Sequence, residues 1–208
     1  PQTGAAWMEH NSDNRFSNWG KRGSRIAQGP GWAQASSTPF HLFKHLLAEG
    51  GIRSPLIISG PGVAYQGEAV HSVAHVMDLT PTFLELAQAA HPSEYKGHPV
   101  LPMQGISQLS NWTDGSMDER EFGFEIYGML TYRSAEWKIL QLPVPYGTGE
   151  WQLYNLKNDI SELIVLADEN PVKLNELIEK YKVYAEKNGV VLPDVAVAYA
   201  KPPKLKSF

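Results

Sequence analysis

The segment His41-Leu42-Phe43-Lys44-His45 brings three basic side chains together. An ammonium group is a compact donor that can stabilise negative charge on an oxygen, and imidazole can exchange a proton near neutral pH. Lys44 is therefore the first residue to which chemistry would be assigned. The alternative is that Lys44 only extends its ammonium into water, as lysines on amphipathic helices commonly do.

A helix of about three turns is predicted to carry Lys44. Thr38 is a favourable N-cap, Pro39 suits the first helical position, and the pair Gly50-Gly51 supplies a left-handed stop. His41 and Lys44 fall on a stripe beside the packed face, so His41 is expected to pack near Lys44 and not to act as an acid. The packed face consists of apolar residues spaced three or four apart: Phe40, Phe43, Leu46 and Leu47.

The apolar run Pro55-Leu56-Ile57-Ile58 follows the glycines and predicts a strand buried on both faces of a parallel sheet. Helix, turn and strand together indicate half of an α/β crossover unit. A second strand is predicted near residues 69–73, and a second helix begins with Thr80 as its cap and Pro81 at its first position.

Four segments occur in a fixed order: residues 31–55, which include Lys44 and Glu49-Gly50-Gly51-Ile52-Arg53-Ser54-Pro55, then residues 76–87, 136–139 and 151–156. In this order and spacing the chain resembles the C-terminal half of type I sulfatases, in particular bacterial arylsulfatases, over roughly residues 13–192. The resemblance implies that Lys44 is catalytic and substrate-binding, and that it contacts one sulfate oxygen and the bridging ester oxygen. It also implies a formylglycine nucleophile and one divalent cation, usually calcium.

The motif that supplies the nucleophile in this family, Cys/Ser-x-Pro-x-Arg, is not found. The sequence has no cysteine, and Ser36-Ser37-Thr38-Pro39-Phe40 has serine and proline at the wrong spacing and phenylalanine in place of arginine. Asp13 and Asn14 lack the following glycine of the family's metal turn, so no metal ligand is assigned. The formylglycine and the cation are therefore expected in a missing N-terminal half of the same protein, and this chain alone is expected to be inactive.

Other polar residues have structural explanations. His71 and His75 would form a metal pair only on a helix, and His71 is expected at a strand end. Asp78 suits the dipole of the helix that follows it. Arg53 is expected to hold its loop or to pair with a carboxylate. The pattern Asn111-Trp112-Thr113 matches an N-glycosylation site, but such matches are common by chance.

Composition is that of an ordinary folded protein. The 208 residues are 42% hydrophobic and 19% charged, and the net charge of −4 leaves no basic face for nucleic acid. No apolar run approaches the roughly 20 residues of a membrane span. The expected partners are therefore a small sulfate ester and the N-terminal half of the protein. The sequence does not fix the cellular compartment.

The predicted fold class is α/β: the C-terminal part of an alkaline-phosphatase-like α/β/α sheet domain, followed by a small antiparallel sheet covered by a C-terminal helix. The predicted division places the end of the catalytic domain at 1–96, with 1–33 mostly loop, and a C-terminal subdomain at 97–208. Residues 97–121 are expected to be a linker. The predicted strands are 122–127, 129–133, 137–142 and 151–155, and the helix covers about 171–188.

Two other functions are compatible with the sequence. One is a phosphatase, phosphonate hydrolase or phosphotransferase of the same superfamily, because sulfate and phosphate esters share tetrahedral geometry. The other is a binding module without catalysis. The number of bound metal ions separates the first alternative from a sulfatase, since one divalent ion is typical of sulfatases and two zinc ions of the phosphatases.

Overall fold

The computed structural model describes residues 16–21, 29–64, 67–115 and 119–192, and helices or strands occur in each of these ranges. The chain divides into two units, residues 1–53 with 122–208, and residues 54–121. The α-helices are α1 Gly29–Ser37, α2 Glu49–Ile52, α3 Leu79–Leu86, α4 Leu109–Thr113 and α5 Pro171–Lys187, and the short 3-10 helices are Phe16–Asn18 and Val76–Asp78. The strands are β1 Glu94–Tyr95, β2 His98–Pro99, β3 Glu121–Ile126, β4 Met129–Ser134, β5 Trp137–Gln141 and β6 Gln152–Asn155.

A four-stranded sheet in the order β3-β4-β5-β6 forms the centre of the first unit. Strand β5 pairs antiparallel with both β4 and β6. The four predicted strands are confirmed to within one residue at each end. Between β3 and β4 the chain turns at Tyr127 and Gly128, whose φ angles are 54° and 80°. Two successive residues at positive φ are typical of the tight turns that suit the twist of a hairpin.

Helix α5 covers one face of this sheet, as the sequence predicts. Its residues Leu177 and Tyr181 are buried against Leu130, Tyr132, Ile139 and Leu153. The helix approaches closely at Gly123, where an added Cβ would lie 2.5 Å from the Tyr184 ring. Because side chains alternate along a strand, the opposite face of the sheet presents a second set of residues. That set, which packs against residues 46–48, includes Met129, Leu140, Leu142, Tyr154 and Leu156.

The second unit contains α3, α4 and the small antiparallel pair β1-β2. The predicted helix near Thr80 is confirmed, but it begins at Leu79, two residues before the predicted first position Pro81, and its N-cap is Asp78 and not Thr80. The strands predicted at residues 55–58 and 69–73 are not formed, and Ile57 is 91% exposed. A strand needs backbone hydrogen bonds from neighbouring strands. The described residues provide no such neighbour for either run, although their composition favours a strand.

Helix α1 differs from the sequence prediction, because it begins at Gly29 where the sequence predicts mostly loop up to about residue 33. The hydroxyl groups of its last residues donate to backbone carbonyls one turn earlier, Ser36 Oγ to Trp32 O and Ser37 Oγ to Ala33 O, both at 3.0 Å. Serine can satisfy helical carbonyls in this way. Within the described ranges, no helix is both long and apolar enough to cross a bilayer.

Candidate functional site

Lys44 lies on an exposed turn between helices α1 and α2, and not on a helix. The predicted helix over residues 39–49 is therefore wrong. Leu42 and His45 have φ angles of 60° and 85°, in the left-handed region that an α-helix does not use. Thr38 is not an N-cap, because its hydroxyl donates to the Gln34 carbonyl at 3.2 Å, at the C-terminal end of α1.

The loop that carries Lys44, residues 41–51, folds back on itself around two glycines. The N–H of Gly50 donates to the His41 carbonyl at 2.9 Å. A Cβ on Gly50 would lie 2.1 Å from Leu42 O, and one on Gly51 would lie 1.9 Å from Leu46 O. Neither glycine has a positive φ, so they are not the predicted helix stop. They are needed because the backbone approaches itself more closely than any side chain would allow.

Apolar side chains hold the C-terminal side of this loop in the core. Leu46, Leu47 and Ala48 are buried against the sheet face that lies opposite α5. Lys44 and His45 are exposed immediately before them. The spacing of apolar residues that predicted an amphipathic helix therefore belongs to a loop whose C-terminal half is buried and whose middle is exposed. The short loop places the Lys44 ammonium at the surface, on a backbone anchored two residues away.

Glu49 is the most unusual residue of the loop, because it is a carboxylate with 0% exposure. Its Oε1 lies 2.9 Å from Lys138 Nζ, and Lys138 Nζ lies 2.7 Å from Glu162 Oε1. The backbone N–H of Glu49 donates to Glu162 Oε2 at 2.7 Å. These contacts join the loop to Lys138 near the start of β5 and to the turn after β6. We refer to Glu49, Lys138 and Glu162 as the buried triad.

Two arginines surround the free oxygen of the Glu49 carboxylate. Arg53 Nε and Arg133 Nη1 each lie 3.8 Å from Glu49 Oε2. The prediction that Arg53 pairs with a carboxylate is thus confirmed, and its guanidinium also lies 4.9 Å from the centre of the Phe40 ring. Burial lowers the pKa of the Arg133 guanidinium, while the neighbouring Glu49 opposes that shift. The arginines and Lys138 together outweigh the two carboxylates by one positive charge.

The sequence patterns considered above do not predict the buried triad, although the position of Lys138 in an apolar strand indicates a buried charge. Lys138 stands between the apolar residues Trp137 and Ile139 in a strand, and alternation places it on the same sheet face as Leu140. That face is buried, so a lysine there requires a buried carboxylate. Across the sheet Lys138 is paired in register with Arg133 on β4 and with Tyr154 on β6. Burial raises the pKa of the Tyr154 hydroxyl, and Glu162 raises it further.

His41, the first residue of this loop, is half-buried, as expected for a packing residue. Its Nδ1 is buried and has no hydrogen-bond partner among the described residues. His45 is exposed. Ser36, the nearest match to a nucleophile motif, donates to carbonyls of its own helix.

A separate buried cluster in the second unit surrounds Asp78. The Asp78 carboxylate accepts from the N–H of His75 at 2.7 Å and of Ile106 at 3.1 Å, and it pairs with Arg120. Asp78 therefore does more than complement a helix dipole, because it joins three stretches of backbone. His75 Nδ1 accepts from the Met77 N–H at 3.1 Å, so this nitrogen caps a turn. Burial lowers the pKa of His75, Asp78 opposes the shift, and Arg120 lowers it further.

The described residues do not provide a metal centre of the kind that the sequence comparison implies. No group of three or more His, Asp or Glu side chains in these ranges could hold an ion. Asp13 and Asn14 lie outside the described residues. Asn111, in the glycosylation pattern, is buried and its Nδ2 donates to Ser72 Oγ at 2.9 Å.

Comparison with known proteins places the Lys44 loop and the sheet within one matched region. A family model described as N-sulphoglucosamine sulphohydrolase, C-terminal, matches residues 40–187. An uncharacterized sulfatase of Schizosaccharomyces pombe is 37% identical over 191 residues, covering 89% of this chain and 34% of that protein. An arylsulfatase of Klebsiella aerogenes is 38% identical over 96 residues, covering 46% of this chain and 21% of that protein. The chain thus spans about a third or less of the length of these relatives.

Solved structures show the same architecture. The crystal structure of Ps i-CgsB matches with a TM-score of 0.58 at 22% identity, covering 80% of this chain and 34% of that chain. Its complex with k-i-k-neocarrahexaose matches with a TM-score of 0.59 at the same identity and coverage. At this identity the likeness concerns the fold alone.

Proposed function

The chain belongs to the sulfatases, in the family described as N-sulphoglucosamine sulphohydrolase, C-terminal, and from this premise we propose that it is the C-terminal part of a sulfate ester hydrolase in which Lys44 contacts the sulfate. The fold class expected from the sequence is confirmed, a mixed α/β protein with the alkaline-phosphatase-like fold of sulfatases. The observation that carries the proposal is that the matched region begins at residue 40 and contains the whole Lys44 loop.

The geometry of the loop supports this role for Lys44. Its ammonium is exposed, so it is available to an anion, whereas Leu46, Leu47 and Ala48 fix the backbone that follows. A lysine can donate to a sulfate oxygen and to the bridging ester oxygen, where negative charge grows as the ester bond breaks. A donor held in place before the reaction stabilises that charge without a reorganisation cost.

The nucleophile and the metal are proposed to come from an N-terminal part of the same protein. The family's reaction uses a formylglycine as nucleophile and one divalent cation, usually calcium. The described residues do not fit a site for that cation. We therefore assign to this chain only the sulfate contact of Lys44 and the elements that hold it. Residues 55–58 are proposed to pair with a sheet in that N-terminal part, and the domain boundary near residue 96 stays a prediction.

Aryl sulfates are the proposed substrate class. Support comes from the arylsulfatase of Klebsiella aerogenes and from arylsulfatase K of Xenopus laevis, which is 27% identical over 146 residues. The first covers 46% of this chain and the second 67%. A simple aryl ester such as 4-nitrophenyl sulfate is therefore the first test substrate.

The experiment uses the full-length gene product that contains this chain, expressed in a host that forms formylglycine. Hydrolysis of 4-nitrophenyl sulfate is compared with that of 4-nitrophenyl phosphate, and bound metal is measured by mass spectrometry. The proposal predicts a preference for the sulfate ester and one divalent ion per protein. A preference for the phosphate ester with two zinc ions would identify a phosphatase. Absence of both activities in the folded, mature protein would favour a binding module.

A control with the 208-residue chain alone tests the proposed division of labour. Under the same conditions it is expected to leave 4-nitrophenyl sulfate intact. Hydrolysis by the purified chain would contradict the assignment of the nucleophile and the cation to another part of the protein.

A further inference from the structure

We infer that the buried triad is the device that positions Lys44, so that Lys138 and Glu162 are positioning residues of the sulfate site although neither lies on its loop. This inference rests on the proposed function, because it concerns the same lysine. It goes beyond that function by assigning a role in the reaction to two residues of the C-terminal sheet region.

The triad is built as a bridge between parts of the chain that are distant in sequence. Glu49 and Lys138 are 89 residues apart, and Glu49 and Glu162 are 113 apart. The side chains of all three residues are at most 1% exposed. One Glu162 oxygen accepts the Glu49 N–H, and the other lies against the ammonium that also holds the Glu49 side chain. Main chain and side chain of Glu49 are thus fixed from the same point.

The hydrogen bond and ion pairs of the triad fix the position of the loop on the sheet, which its apolar contacts alone do not. Leu46, Leu47 and Ala48 anchor the loop by burial, which depends on area and not on direction. A shift of the loop along the sheet would keep much of that burial. The same shift would separate the Glu49 carboxylate from the Lys138 ammonium inside the protein, where an unpaired charge is costly. The triad therefore selects one position of the loop on the sheet.

A displacement of Glu49 reaches Lys44 through a short and tightly closed piece of backbone. Lys44 lies five residues before Glu49. Gly50 directly follows Glu49, and its N–H donates to the carbonyl of His41, which lies three residues before Lys44. The backbone on both sides of Lys44 is therefore tied to the triad. Misplacement of a catalytic group by about 1 Å can lower the rate about 100-fold.

The test measures kcat and KM of the full-length gene product with 4-nitrophenyl sulfate for Lys138→Met, which keeps an unbranched side chain shorter by one atom and removes the charge. We expect kcat to fall about 10- to 100-fold. Because the triad acts through Lys44, the same substitution in a Lys44→Ala background should change kcat less than about twofold. An equal loss in both backgrounds would show a general structural role and overturn the inference.

The matched control is Lys182→Met, the same chemical change on helix α5. Lys182 Nζ lies 2.7 Å from Glu179 Oε1, but both side chains are well exposed. Its kcat is expected to equal that of the unmodified enzyme. If Lys138→Met does not fold, Glu162→Gln replaces it, because the amide oxygen can still accept the Glu49 N–H while Lys138 loses the negative charge of Glu162 as a partner. The same comparison between the two backgrounds then decides.

The two proposals fail in different ways. If Lys44→Ala itself keeps full activity, the proposed sulfate contact is wrong. If Lys44→Ala loses activity but Lys138→Met and Glu162→Gln, both folded, keep it, the sulfate contact stands and the positioning role is wrong.

Discussion

The backbone N–H of Gly50 donates a 2.9 Å hydrogen bond to the carbonyl oxygen of His41, and this bond closes the loop on which Lys44 is displayed. The two segments approach so closely that a Cβ on Gly50 would lie 2.1 Å from Leu42 O. Glycine is therefore required by packing and not by its backbone angles. The same holds for Gly51.

Gly50→Ala should lower the free energy of unfolding by about 1–3 kcal/mol, because the methyl group has to displace a backbone carbonyl and not a flexible side chain. Urea unfolding followed by fluorescence measures the change. Gly31→Ala on helix α1 is the control, since no atom lies within 4 Å of an added Cβ there. This control should be neutral or slightly stabilising. Equal stability of the two variants would contradict the close approach at Gly50.

Asp78→Asn should lower the free energy of unfolding by about 3–5 kcal/mol, because it removes the negative charge from a buried pair with the Arg120 guanidinium. The measurement is again urea unfolding. Glu176→Gln is the control: its carboxylate pairs with Lys173 at 2.9 Å on the exposed side of α5. A surface pair contributes at most about 1 kcal/mol. If Asp78→Asn also lowered the free energy of unfolding by no more than about 1 kcal/mol, the Asp78–Arg120 pair would not contribute as a buried pair does.

His75 should make stability depend on pH. Burial lowers its pKa in the folded protein below the value of about 6.5 expected when unfolded. Between these two pKa values the unfolded state binds more protons, so the free energy of unfolding falls as pH falls through this window. Protonation would also remove the Nδ1 acceptor used by the Met77 N–H.

The check for His75 is urea unfolding at about pH 7.5 and about pH 5.5 for the unmodified protein and for His75→Asn. Asparagine can accept the same backbone N–H but does not titrate. The variant should therefore lose less stability between the two pH values. An equal or larger loss in the variant would show that His75 does not contribute in the stated direction.

Local sequence patterns predicted the sheet and helix α5 well. Short runs of aromatic and aliphatic residues separated by turn residues defined each strand, and Leu177 and Tyr181 lie on the helix stripe that the spacing predicts. These elements are specified by residues near one another in the chain. The strands are also paired with sequence neighbours, so no distant partner was needed to form them.

The Lys44 loop could not be predicted in the same way. Its apolar spacing suits a helix, but its conformation is set by a backbone contact at Gly50 and by Glu49, Lys138 and Glu162, which are far apart in sequence. The run at residues 55–58 has the composition of a strand without a partner strand in the described ranges. In the loop, contacts with distant residues override the local preference for a helix. At residues 55–58, the local preference for a strand is not sufficient without a partner strand.

The most direct measurement for the central claim is kcat of the full-length gene product with 4-nitrophenyl sulfate before and after Lys44→Ala. Lys44 is exposed, so the substitution should leave the free energy of unfolding unchanged within about 0.5 kcal/mol. Loss of one donor to the developing charge should lower kcat by about two to three orders of magnitude. Turnover close to that of the unmodified enzyme would contradict the assignment of Lys44 to the sulfate.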